Sequence, residues 1–67
     1  MKFYNILMAA NKDTEIGIKV RMYGMTFSTT HFPEFYIDNE KCDELVDREV
    51  TDIKVNDNVL ELTLAEE

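Results

Sequence analysis

The sequence predicts an α+β domain, a small single unit spanning residues 1–67, with the order β-β-(β)-α-β-β and one short helix on a mostly antiparallel sheet. Three observations predict it. Glu15 to Tyr23 alternate apolar and polar side chains; Val50 to Leu64 alternate on both sides of an Asn56-Asp57-Asn58 turn; and an acidic stretch with helical spacing lies between them. A period of two marks strands with one buried face, whereas apolar residues three and four apart mark a helix stripe. A chain of 67 residues has room for one core, and at this size folding buries only about 60% of the surface exposed by the unfolded chain. Domains this small make up the difference with disulfides, a metal or self-association.

Residues 2–9 are expected to open the sheet. As a strand they would place Phe3 and Leu7 on one face and Tyr4, Ile6 and Met8 on the other, the two-sided apolar character of a central or partner-covered strand. Asn11 to Thr14 form a polar turn. In the second strand, Ile16, Ile18, Val20 and Met22 point inward and Gly17, Lys19, Arg21 and Tyr23 outward, making an N-terminal hairpin with the first. Gly24 marks a bend, a bulge or the end of pairing, and Met25 to Thr30 suit a strand resuming beyond it. Pro33 lacks a donor and pushes Phe32 towards an extended conformation; Glu34 to Ile37 are expected as a short third strand.

Asp38 or Asn39 then supplies a helix N-cap, with acidic residues in the first turn where the helix dipole favours them. Cys42, Leu45 and Val46 give that helix a narrow apolar stripe, and it is expected to end near Arg48. In the closing hairpin, Ile53 and Val55 precede the turn, and Leu60, Leu62 and Leu64 follow it. The Asn-Asp-Asn turn residues tolerate positive φ. The final Ala-Glu-Glu is expected to fray.

The net charge is −7 and it is unevenly placed. Residues 1–33 carry four basic and two acidic side chains, and residues 34–67 carry three basic and twelve acidic ones. Such a field opposes direct contact with nucleic acid or an anionic membrane and favours a basic partner. Lys19 and Arg21, with Lys2, Tyr4 and Tyr23, would form a basic and aromatic face on the first hairpin. Charge balance against the acidic half accounts for it better than nucleic-acid binding. The apolar run of Met1 to Ala10 is broken at Asn5 and is short for a secretory leader, and nothing approaches the ~20 apolar residues of a membrane span. A cytoplasmic setting with Cys42 as a free thiol is expected.

Catalysis has little support. His31 is the only histidine and Cys42 the only cysteine, with Cys42 in an apolar stripe where a buried structural thiol is usual. No Cys and His stand at zinc spacing, Pro33 argues against a helix that would align His31 with Glu34, and there is no glycine-rich phosphate loop. No catalytic residue, metal or cofactor is expected.

Two clusters remain as candidate partner-binding residues. Glu40, Asp43, Glu44 and Asp47 fall at i, i+3, i+4 and i+7, which on a regular helix gives a row of carboxylates about 5–6 Å apart. That spacing imitates successive phosphates of a nucleic-acid strand; its plain alternative is a solvated face that keeps a small protein soluble. Phe32, Phe35 and Tyr36 concentrate aromatic side chains around Pro33, as interface anchors or as core. Tyr36 is expected to present a polar tip.

Asp43-Glu-Leu-Val-Asp-Arg-Glu-Val50, followed by Ile53 to Leu64, resembles the ending of small accessory proteins of phages and prophages of Gram-positive bacteria. In those, an acidic helix feeds a closing hairpin. The resemblance covers the last third of the chain and carries over no site residues. It implies a phage setting, in which small acidic proteins act by occupying a host protein, including defence nucleases such as CRISPR effectors. The expected function is thus that of a small acidic non-enzymatic binding protein, an inhibitor that occupies a basic surface of a host nucleic-acid-binding or defence protein by DNA mimicry. The alternative is a homo-oligomeric structural or assembly accessory protein of a phage or prophage, with a homodimer as one possible state.

Overall fold

The computed structural model describes residues 1–66. Its elements are α1 (Phe3–Ala9), β1 (Glu15–Met22), β2 (Met25–His31), α2 (Pro33–Ile37), a 3-10 turn (Glu40–Cys42), α3 (Asp43–Val46), β3 (Val50–Asn56) and β4 (Val59–Leu64). The strands form one sheet in the order β2-β1-β4-β3. Both hairpins are antiparallel, and they meet through a parallel pairing of β1 with β4. This is an α+β domain with a mostly antiparallel sheet, as the sequence predicts, but three short helices cover it rather than one.

Residues 3–9 are helical, and the spacing explains why. Phe3, Ile6 and Leu7 stand at i, i+3 and i+4 and are buried, while Tyr4 and Met8 are exposed. Under a period of two these residues looked apolar on both faces; under a period of 3.6 they make one stripe. The Lys2 N–H donates to Asn5 Oδ1 at 3.2 Å, satisfying a donor at the helix start. Ahead of α1 the chain pairs with residues 48–50: Phe3 N–H donates to Arg48 O at 2.9 Å and Val50 N–H to Met1 O at 2.8 Å.

The hairpin partner of β1 is therefore β2, joined to it by Tyr23-Gly24. Met22 pairs with Met25, and the two residues between them have φ of 54° and 74°. Two consecutive positive φ values define the turn that matches the twist of a two-residue hairpin. Asp57 and Asn58, with φ of 50° and 66°, do the same between β3 and β4. The turn expected at residues 56–58 is in place, narrowed to its two central residues.

Glu34 to Ile37 belong to a helix, not a third strand. Pro33 is its first residue, where the missing N–H is no loss and the fixed φ is already helical. Asn39 Oδ1 accepts from Lys41 N–H at 3.0 Å, the cap expected of Asp38 or Asn39. The helix it starts is broken, however, into a 3-10 turn and the single turn of α3.

The core lies between the helices and one face of the sheet. Phe3, Ile6 and Leu7 pack with Ile16, Ile18 and Val20 of β1, Leu62 and Leu64 of β4, Tyr36 and Cys42. The helical layer is too small to reach the edges. Ile53 and Val55, opposite Leu62 and Leu60 in register, share the core face yet stay exposed. Met25 and Phe27 do likewise on β2.

Tyr23 is a bulky residue at positive φ, a conformation that costs about 1–2 kcal/mol for side chains other than Gly, Asn and Asp. Its side chain is exposed, so Tyr23→Asn should raise stability by about 1 kcal/mol, read as a melting temperature higher by about 4–8 °C.

Candidate functional site

Tyr36 organises the site from beneath. It is fully buried, its ring meets Phe3 edge-on with centroids 5.1 Å apart, and its hydroxyl donates to Ile16 O at 2.7 Å. The polar tip expected of Tyr36 exists, but it is spent inside the protein. Tyr36 is therefore a core residue rather than a partner-binding one. Its neighbour Phe35 points outward: its ring packs edge-on to Tyr36 at 5.5 Å and stacks on His31 at 3.6 Å. Because α2 is a helix, adjacent residues diverge, one into the core and one to the surface.

Phe32 and Phe35 are 50% and 41% exposed and line an open cleft of about 820 Å³ where β1 and β2 end against α2. Glu15, Glu34, Asp38 and Glu40 line the same cleft, with His31 and Lys41. Four carboxylates thus surround a pair of exposed aromatic rings.

The four carboxylates expected to act as one row are spread over two kinds of turn: Glu40 opens the 3-10 turn, Asp43 and Glu44 lie on α3, and Asp47 follows its last residue. Two of the four are engaged: Glu44 Oε1 accepts from Arg48 at 2.9 Å and Asp47 Oδ1 from Lys2 at 2.9 Å. Of the row, only Glu40 lines the cleft. Asp43 is exposed on α3.

Glu15, Glu34 and Asp38 were missed as site residues. The signal was present: Pro33 at a helix start with an acid beside it puts Glu34 and Asp38 four apart on one face. Reading residues 34–37 as a strand hid it. Likewise Lys2 and Tyr4 belong to the α1 region, so the basic face expected of the first hairpin is reduced to Lys19 and Arg21 on β1.

Cys42 is buried against the core, and burial, with Asp43 beside it, pushes its thiol pKa up. A neutral buried thiol is a poor nucleophile. Among the described residues, no three His, Cys, Asp or Glu side chains converge to hold a metal ion, and no helix is long and apolar enough to cross a membrane.

Burial also raises the Tyr36 hydroxyl from 10.0 to about 12. The unfolded phenol ionises near its ordinary value while the folded one keeps its proton, so stability is full below about pH 10 and falls as pH rises through about 12. The loss should be on the order of 2 kcal/mol in denaturant titrations across that range. Tyr36→Phe should cost about 0.5–1.5 kcal/mol at neutral pH and remove this alkaline fall. Cys42 should react with a thiol reagent in the native protein at least about tenfold more slowly than in denaturant.

Comparison with protein-family models, with curated proteins and with solved structures finds no match to this chain.

Proposed function

We propose that this chain is a small non-enzymatic binding protein whose acidic, aromatic-lined cleft engages a basic surface of another protein. The observation that carries this reading is the cleft itself, where Glu15, Glu34, Asp38 and Glu40 surround the exposed rings of Phe32 and Phe35. Aromatic side chains left half exposed supply contact area at low entropic cost, and a surrounding ring of one charge steers and selects the partner. An Arg- or Lys-rich segment with an apolar side chain fits both features, since Arg also stacks on aromatic faces. Following the resemblance of residues 43–64, the target is a host nucleic-acid-binding or defence protein, and the setting a phage or prophage. The imitation of DNA would then rest on charge around an aromatic anchor, rather than on evenly spaced carboxylates.

Titration with an arginine-rich peptide containing one aromatic residue, followed by amide chemical shifts, tests this. Shifts should centre on residues 31–41, weaken with salt, and need at least about tenfold more peptide in Phe35→Ala or in the combined Glu34→Lys, Asp38→Lys, Glu40→Lys variant. Shifts spread evenly over the acidic surface, or unchanged affinity in those variants, would contradict the cleft.

A further inference from the structure

We propose that two copies of this chain join edge to edge through β2, antiparallel about a two-fold axis at Ser28, so that their sheets become continuous. β2 is an outer strand of the sheet. Its backbone is set up for the pairing. Met22 and Met25 flank a two-residue turn and form a hydrogen-bonded pair, so Val20–Phe27 and Ile18–Thr29 bond each other in alternation. Thr26, Ser28 and Thr30 then aim their N–H and C=O groups away from β1, at the free edge.

Residues 25–31 contain no charge and no proline, and their pairing with β1 runs without a bulge. Free edges are normally guarded by Lys, Pro, a bulge or a covering segment. The opposite edge of this sheet has such guards: Asp52 and Lys54 lie on β3, its register shifts between Val50 and Asp52, and Val50 N–H is taken by Met1 O. Among the described residues, β2 has none of these.

The occupant that fits is a second copy. A two-fold at Ser28 lies at the middle of Met25–His31, so every residue of the strand finds a partner. Ser28 stands opposite the partner's Ser28, Thr26 opposite the partner's Thr30, and Phe27 opposite the partner's Thr29. All three outward-aimed residues, Thr26, Ser28 and Thr30, fall in the pairs that exchange backbone hydrogen bonds. Phe27 is then diagonal to the partner's Phe27, within reach of an aromatic side chain, and both are left exposed in the monomer. Charge points the same way. Two copies of net charge −7 repel, and β2 is an edge along which they can pair without setting carboxylates opposite one another. Continuing the register brings the exposed Tyr23 turn to the start of the partner's α2, a reason for a bulky residue at a strained position.

The proposal is independent of the cleft reading, and its test leaves Phe35 and the cleft carboxylates intact. Sedimentation of the full chain over a wide dilution series should show a reversible equilibrium between 7.9 kDa and twice that mass. Ser28→Lys and Ser28→Glu, exposed changes on the polar face, should each weaken the dimer at least about tenfold by placing like charges opposite across the axis. An equimolar mixture of the two should restore it. Amide exchange should slow at Thr26, Ser28 and Thr30 on dimerisation. A chain that stays monomeric at every concentration overturns the proposal, as it would if the edge served a strand of another protein. So does a dimer that tolerates Ser28→Lys, or variants that fail to rescue each other.

Discussion

Tyr36 is the point through which the helical layer and the sheet hold each other. Its ring packs on Phe3 of α1, its hydroxyl bonds the Ile16 carbonyl of β1, and its backbone carries α2. In a domain this size the core is too small for any one layer to be stable alone, so a side chain that joins three elements has disproportionate weight. It also explains the surface. Fixing Tyr36 inward leaves Phe35 facing out against His31, and the cleft with its acidic rim follows from that one orientation.

The helices cover the middle of the sheet and leave its margins open. α1, α2 and α3 have seven, five and four residues, lengths that bury the β1 and β4 side chains but not those of the edge strands. Met25, Phe27, Ile53 and Val55 are exposed for that reason, not because the alternation of apolar residues fails. The two edges then differ in chemistry. One carries charges, a register shift and a covering segment; the other carries only neutral side chains. The proposed pairing of two copies rests on that difference.

Much of this was legible in the sequence where a single period dominated. The alternation of Ile16, Ile18 and Val20, and of Leu60, Leu62 and Leu64, gave β1 and β4 with their inward faces, and Asn56-Asp57-Asn58 gave the second hairpin. Legibility failed where a short apolar run satisfied two periods. Phe3, Ile6 and Leu7 fit a helix stripe and also a two-sided strand, and over seven residues only the packing against Ile16 and Ile18 decides. Pro33 misleads differently: inside a helix proline is a barrier, but at the first helical residue, where it stands in α2, it is a starting signal. The first turn was hidden because Tyr23 is not a residue that ordinarily adopts positive φ, so Gly24 looked like an interruption of one strand rather than half of a hairpin turn. The acidic row was legible as composition, but the ion pairs that tie Asp47 to Lys2 and Glu44 to Arg48 depend on tertiary packing.

If Tyr36 couples α1 to the hairpin and α2 as one unit, a double-mutant cycle between Phe3 and Tyr36 reveals it. Phe3→Leu, Tyr36→Leu and the double variant would be unfolded by denaturant under conditions where all three remain folded. Edge-on aromatic contact predicts a coupling of about 0.5–1.5 kcal/mol between the two positions. Simple additivity of the two losses would contradict it, leaving Phe3 and Tyr36 as separate contributors to a core that no single contact organises.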